Sequence, residues 1–445
     1  MMRFWYRSFR GLSSIQHRVG RRLTRAGLLV LAGLGGSGVV GLDTNRTVAY
    51  QAFAFLVALL AIAAVSSVGF RARFGVRRVL PRFATVGEPC AYRVIVGNRT
   101  PTAQRGLVLF EDLADPRPTF DEFRRAREPG EDRRNRFDRA VRYYRWAWLV
   151  EANRGAVLGE HALPDLPPRG EVEVRREVTP LRRGHVRFAG ATVARPDPLG
   201  LFNALVAVPA PQSLLVLPRR YPLPDVQLPG TRKYQHGGVA LAGSVGDSEE
   251  FVSLRDYRPG DPLRRIHWKS WARIGKPVVR EYQDEFFVRH ALVLDTFVEI
   301  ERSPVFEEAV SVAASVACSI QTQESLLDLL FVGPEAYCFT LGRGLGHLER
   351  MLEILACVRA CRDKPFETLH RSVIERHATL SGCICVLLAW DEARRALVRH
   401  LRALGVPLLV LVVTEPGSAA ELPAAAGGDV HRLEVGRIAE GLARL

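Results

Sequence analysis

The sequence predicts a multidomain chain: an N-terminal transmembrane helical hairpin, an Ig-like β-sandwich, and a C-terminal Rossmann-like α/β domain. Three observations predict it. Two uninterrupted apolar runs lie within the first 70 residues. Short alternating stretches punctuated by proline and glycine fill residues 79–225. From residue 286 onward, apolar strands alternate with amphipathic helices. A length of 445 residues suits two or three domains, and 47% apolar content excludes a mainly disordered chain.

The apolar runs are AGLLVLAGLGGSGVVGL (26–42) and TVAYQAFAFLVALLAIAAVSSVG (47–69). About 17–25 such residues cross a bilayer core. Gly33, Ser37 and Gly41 recur every four residues, which suits close helix packing, and Asp43-Thr44-Asn45-Arg46 reads as the turn. Seven arginines and no acid occupy the leader 1–25, and five arginines and no acid occupy 71–82. Together they supply twelve of the fifteen net positive charges. The rule that basic loops stay inside then places both ends of the hairpin, and all that follows, in the cytoplasm of an inner membrane. A cleaved signal peptide is disfavoured by the long leader and by the second apolar run. The charge distribution also argues against nucleic acid as a partner, since the basic excess lies beside the lipid bilayer. Arginine makes up 58 of the 62 basic residues, which looks more like a coding bias than a binding stripe.

Residues 79–225 carry the strand-like stretches CAYRVIVGN, GLVLFEDL, WAWLVEANRG, EVEVRREV, GHVRFAGATV and SLLVLPRR. Several such strands with turns between them suit a sandwich. A charged insertion interrupts them at 111–145; nine arginines and six acids fall between 121 and 145. Its composition predicts a solvated, partly helical or disordered piece. Residues 226–248 have the composition of a linker.

In the α/β domain, 286–445, FVRHALVLD, LLDLLFVG, AYCFTL, CICVLLAW and VPLLVLVVT read as strands. SPVFEEAVSVAASVACSIQTQ, GHLERMLEILACVRAC and DEARRALVRHLRALG read as helices. Such alternation means a largely parallel sheet covered on both faces, with ligands meeting the carboxyl ends of strands. Asp295 and Asp391 stand just past two of those ends. The cysteine count of seven is odd, and the apolar contexts of Cys357, Cys361, Cys383 and Cys385 predict small buried thiols rather than zinc ligands.

Between linker and α/β domain lies EEFVSLRDYRPGDPLRRIHWKSWARIGKPVVREY, within a cassette at 249–285. It predicts strand, turn, short helix and strand. Pro259 and Gly260 fix the turn. Asp261 then Pro262 read as N-cap and first residue of a helix running to Arg273. Leu263 and Ile266 share a face that can bury, and Arg264 shares another with Trp268 and Trp271. His267 is the one candidate base, but it sits among Arg264, Arg265 and Lys269 with no acid placed to orient it. No nucleotide-binding, nucleophile-elbow or zinc-protease motif is present.

The pattern EF-x-x-LR-x-YRPGD-x-x-RRIHWK-x-x-AR, followed by V-x-EY and an apolar strand ending in Asp, resembles the bacterial domain of unknown function 58 family. Glu250, Arg255, Tyr257, Gly260, Asp261, Arg264, His267, Trp268, Lys269 and Arg273 carry the match. Upstream, RRGHVRFAGATVARPDPLGLF (182–202) looks like the family's second element, so the resemblance extends over nearly the whole chain. It implies a membrane-anchored protein whose α/β domain is of the von Willebrand factor type A kind. It also implies a MoxR-type AAA+ ATPase as partner and no established enzymatic activity. Type A domains bind Mg²⁺ through a D-x-S-x-S loop, a threonine and a further aspartate. Asp295 and Asp391 match the two acids, but Phe297 and Glu299 replace both serines, and Gly and His347 stand where the threonine is expected. The expectation is therefore a non-enzymatic adaptor with no cofactor. The alternative is a Mg²⁺-dependent ligand-binding module using Asp295 and Asp391.

Overall fold

The computed structural model describes residues 2–40, 47–68, 70, 72–224, 250–261, 263, 266–283, 288–298, 303–320, 325–333, 336–341, 345–418 and 429–445. The chain divides into two compact units, Met1–Leu217 and Pro218–Leu445. The expected linker and the hairpin turn at 43–46 lie outside the described residues.

The first unit opens with three helices: α1 (Met2–Arg22), α2 (Arg25–Val40) and α3 (Thr47–Val68). Helix α3 is long and apolar enough to cross a membrane. The described part of α2 has 16 residues, about 24 Å at 1.5 Å per residue, beside a bilayer core of ~30 Å. Of the small residues expected to allow close packing, Gly33 faces Leu56, whose Cδ1 would lie 3.7 Å from an added Cβ, and Gly41 lies outside the described residues; Gly38, not among them, lies nearer, with an added Cβ 3.4 Å from the Phe53 ring. The basic leader forms helix α1.

Next come β1 (Phe74–Val79), β2 (Phe83–Thr85), β3 (Cys90–Asn98) and β4 (Val108–Leu113). Helices α4 (Phe120–Arg125), α5 (Arg136–Val141) and α6 (Tyr143–Asn153) follow. Strands β5 (Ala156–Val157), β6 (His161–Ala162), β7 (Glu171–Pro180), β8 (Gly184–Pro196) and β9 (Asn203–Leu217) complete the unit. Two sheets, β1-β3-β7-β5 and β2-β9-β8-β4-β6, form the sandwich. Alternate residues of facing strands fill the space between them, with Val94, Val96 and Val174 meeting Leu109, Phe188, Val193 and Leu214.

Two expectations change here, and a third is narrowed. The sandwich starts at Phe74, not 79, so Arg77 and Arg78 are strand residues rather than a membrane-flanking run. Arg78 is wholly buried and donates to Glu111 Oε2 through Nε at 2.8 Å and to Ala210 O through Nη1 at 2.6 Å. The stretch WAWLVEANRG is helical in α6, because its aromatic residues serve a helix face rather than a sheet. The insertion is partly helical, one of its two expected states. Thr119 and Glu122 form a reciprocal capping box that starts α4, and Asn135 caps α5. Phe123, Trp146 and Leu149 build a small core against which Met2, Tyr6 and Phe9 of α1 pack. Arg145 joins that core by donating to Glu131, through Nε at 3.0 Å, and to Phe123 O.

The second unit contains β10 (Glu250–Asp256), α7 (Trp268–Ile274), β11 (Val278–Gln283) and β12 (Val288–Leu294). It continues with α8 (Pro304–Ser319), β13 (Ser325–Val332), β14 (Ala336–Leu341), α9 (Leu345–Cys357) and α10 (Glu367–Ile374). It ends with β15 (Gly382–Leu387), α11 (Glu392–Ala403), β16 (Leu408–Thr414), β17 (Val430–Glu434) and α12 (Ile438–Leu442). The main sheet has the order β14-β13-β12-β15-β16-β17, parallel throughout except at β14. The segment before the linker belongs with this unit: Tyr221 donates to Ser315 Oγ through its backbone at 2.8 Å and to Glu308 through its hydroxyl at 2.6 Å. Cys361, Cys383 and Cys385 are buried thiols as expected, whereas Cys357 is exposed at the end of α9.

Candidate functional site

The strand order changes direction between β12 and β15, and the crevice at their carboxyl ends is where an open α/β sheet places a ligand. Asp295 follows β12 and Asp391 precedes α11. The sheet brings the two acids together, but around a guanidinium. Arg394 donates through Nε to Asp295 Oδ2 at 2.9 Å and through Nη2 to Asp295 Oδ1 at 3.3 Å and to Phe297 O at 3.2 Å. Its Nη1 donates to Asp391 Oδ2.

Asp295 is wholly buried. Besides Arg394 it accepts from Phe297 N at 2.9 Å and Leu388 N at 3.1 Å, so four N–H groups saturate its two oxygens. Burial pushes its carboxyl above the usual aspartate range, against the pull of Arg394 and the backbone donors. Burial also works against the Arg394 charge, but the two carboxylates more than offset it and hold the guanidinium more firmly protonated. Asp391 lies further out, with its side chain 48% exposed. It caps α11 by accepting from Arg394 N at 3.0 Å.

Phe297 has a task in this arrangement. Its ring meets Phe366 edge to face at 5.5 Å, and Arg394 lies over Phe366 at 4.7 Å. The aromatic pair thus covers one side of the guanidinium. Thr296, the neighbouring hydroxyl, turns away and donates to Val332 O at 2.6 Å. Glu299 lies outside the described residues, and His347 is in α9. Among the described residues, no group of three or more His, Cys, Asp or Glu is placed to hold a metal ion. Asp295 and Asp391 therefore stand as ligands of a side-chain cation, with no free carboxylate oxygen on Asp295 for Mg²⁺.

Sequence reasoning missed Arg394. The signal was there: a basic residue in the first turn of a helix opposes the helix dipole, so it calls for an acidic partner. Asp391, three residues earlier, is half of that answer.

The cassette forms a separate site. The bonds of Asp295 and Asp391 go to residues 297, 388 and 394, none of them in the cassette. Strands β10 and β11 pair antiparallel, with Glu250 opposite Gln283 and Arg255 opposite Val279. Asp261 does not cap α7, which starts at Trp268. It accepts both guanidinium arms of Arg255, at 2.7 and 2.8 Å, and Arg258 N at 2.8 Å. Those donors, Arg255 first, lower its carboxyl to about 2. Gly260 closes the turn with φ of 108°, a conformation open to glycine. Tyr257 N donates to Pro277 O, and His267 N to Val278 O, so the strand ends are tied together.

The helix starts at Trp268, later than expected, and Gly275 ends it in a left-handed turn. Pro262, Arg264 and Arg265 lie outside the described residues. Ile266 is buried, but Leu263 is exposed. Trp268 stacks on Trp271 at 5.1 Å. His267 Nδ1 lies 2.6 Å from Ser270 Oγ, a local pairing. Lys269 and Arg273 face solvent.

In the first unit, Asp197 and Gly200 of the DPLGLF element make a docking loop. Asp197 is buried and accepts from Leu199 N, Leu201 N and Phe202 N. That presents the Gly200 and Leu201 carbonyls to Thr24, between α1 and α2. Thr24 N also donates to Leu201 O at 3.0 Å, and Thr24 Oγ1 accepts from Gly27 N at 3.0 Å, capping α2. The element is thus the clamp that holds the α1–α2 elbow to the sandwich.

Comparison with known proteins agrees with the cassette. Residues 253–431 match the family model described as "Protein of unknown function DUF58". The DPLGLF element lies outside that match. YeaD of Bacillus subtilis (strain 168), described as uncharacterized, is 29% identical over 182 residues, 40% of this chain and 44% of that protein. The match thus spans less than half of that relative's length. Among solved structures, the crystal structure of a CARDB domain from Pyrococcus furiosus is similar over 33% of this chain and 89% of its own. Its identity is 14% and its TM-score 0.19. A solution structure of the same domain gives 13% and 0.18 over 33% of this chain and 94% of that one. The C-terminal half of this chain carries a DUF58 family domain, and the protein is a distant homologue of Bacillus subtilis YeaD.

Proposed function

We propose that the protein is a membrane-anchored, non-enzymatic adaptor whose C-terminal domain is a von Willebrand factor type A-like module that works without a metal ion. The observation that carries this reading is Arg394. A cation built into the chain occupies the space between the two acids that match a type A metal site. A fixed guanidinium cannot exchange or offer an open coordination position to a ligand. The strand order, with β12 central and β14 antiparallel at the edge, supports the type A comparison.

The partner in this reading is a MoxR-type AAA+ ATPase, whose ATP hydrolysis supplies the driving energy. The cassette supports a role in binding: Leu263, Trp268 and Ile274 are exposed on a turn and helix that Arg255, Asp261 and Gly275 hold rigid. Exposed aromatic and aliphatic side chains on a rigid frame are what interface anchors require. In this reading α2 and α3 cross an inner membrane as a hairpin and both units lie in the cytoplasm. Affinity purification of the full chain from solubilised membranes should recover an AAA+ ATPase, and Trp268→Ala with Ile274→Asp should lose it. Recovery that never includes such an ATPase contradicts the reading.

A further inference from the structure

Helix α1 has two faces with different partners. Met2, Tyr6 and Phe9 pack on Phe123 and Trp146, with Tyr6 meeting Trp146 at 5.6 Å and Phe9 meeting Tyr143 at 5.6 Å. On the other side, Phe4, Leu12, Ile15 and Val19 form an apolar stripe, each 37–66% exposed. Their spacing of eight, three and four residues keeps them on one face of a 3.6-residue helix. Among the described residues, nothing in the first unit covers that stripe.

The arginines of α1 sort the same way. Those toward the protein have acidic partners: Arg10 with Asp115, and Arg21 with Asp112. Arg7, Arg18 and Arg22, which border the stripe, have no acidic partner among the described residues, and residues 1–25 contain no acid. Two residues separate α1 from α2, and the DPLGLF clamp fixes that elbow. An apolar stripe bordered by unpaired arginines and tethered beside a membrane span suits a bilayer surface carrying negative headgroups.

We infer that α1 lies in the membrane interface, with Phe4, Leu12, Ile15 and Val19 among the acyl chains and Arg7, Arg18 and Arg22 on anionic phospholipid headgroups. The lobe formed by α4, α5 and α6 covers its opposite face, so the helix is clamped between bilayer and protein. This rests on the membrane-anchored reading above. It adds a second, sideways attachment that would hold the sandwich at the lipid surface.

The test uses the full chain reconstituted in vesicles of phosphatidylcholine and phosphatidylglycerol. The photoreactive residue p-benzoylphenylalanine replaces Ile15, Val57 of α3 or the exposed Glu173 of β7 in turn. Irradiation should yield lipid adducts at positions 15 and 57 and none at 173. Combined replacement R7Q, R18Q and R22Q should reduce the adduct at 15 and leave that at 57 unchanged. An adduct at 57 without one at 15 overturns the inference while the anchor stands. No adduct at 57 removes the anchor and the inference together. An adduct at 15 indifferent to the arginine replacements overturns the assignment to anionic lipid.

Discussion

Each unit of the molecule contains a buried arginine facing a buried carboxylate, and the two centres solve different problems. Arg78 and Glu111 sit between the sheets of the sandwich, both side chains wholly buried. Backbone carbonyls of Ala210 and Gly190 and the Tyr92 hydroxyl complete the set. Burial and the Glu111 charge together push the Tyr92 hydroxyl well above the usual tyrosine range, so it remains a donor. Arg394 and Asp295 instead lie at the open end of a sheet, with Asp391 leading out to solvent. The first centre is enclosed, and its contribution is to fix how two sheets meet. The second occupies a place where α/β folds bind ligands. An arginine–carboxylate pair is a structural pin in one location and satisfies the carboxyl-edge acids in the other.

Breaking either pair should destabilise its unit strongly, because removing one partner leaves an uncompensated buried charge. Arg78→Met should show the largest effect, about 3–5 kcal/mol, read as loss of the sandwich transition in thermal or urea unfolding. Replacing the pair together, R78M with E111L, should recover much of that loss, since well-packed apolar groups often equal a buried ion pair. Arg394→Met should cost somewhat less, about 3 kcal/mol, because Asp391 is half exposed and water can reach that side. Asp197→Ala removes an acceptor from three backbone N–H groups and should cost about 1–3 kcal/mol, with the α1–α2 elbow gaining faster hydrogen exchange at Leu201 and Phe202. Asp391→Ala should cost only about 1 kcal/mol, the usual value of an N-cap. That contrast with Arg394 sharpens the assignment of Asp295 as the main counter-charge.

The smallest effect concerns pH. Asp261 is held at about 2, below its ordinary 3.8, by Arg255 and by Arg258 N. A lowered folded value means that its contribution is present above the ordinary range and is lost as pH falls through about 2. An NMR titration of the Asp261 carboxyl should therefore show its midpoint near 2. Arg255→Gln should move it back toward the ordinary value, with little change in global stability.

Much of the fold was legible in the sequence because its periodicities are strong. Strands β3 and β7 alternate cleanly, and α11 carries both an N-cap and a C-terminal glycine. The errors have physical causes. WAWLVEANRG, residues 146–155, reads as a strand because Trp146, Trp148 and Val150 alternate along it, yet it lies in α6, whose burial follows Arg145, Trp146 and Leu149, a helical spacing. The insertion reads as solvated and partly helical or disordered because charge dominates it; its helical state rests on Arg124, Arg134 and Arg145 pairing with its own acids and on Phe120, Phe123 and Tyr143 meeting α1. Arg78 reads as part of a membrane-flanking cluster because charge counts do not reveal which face of a strand a residue occupies. At the candidate site, both acids were legible from their positions after strands. Arg394 was not, because its second partner lies 99 residues away in sequence.

The central claim is that the carboxyl-edge acids are satisfied from within. Calorimetric titration of the full chain with Mg²⁺, with Asp295→Asn as the control, tests it most directly. The account predicts no saturable heat from either protein. Saturable Mg²⁺ binding by the wild-type chain that disappears in Asp295→Asn would contradict it.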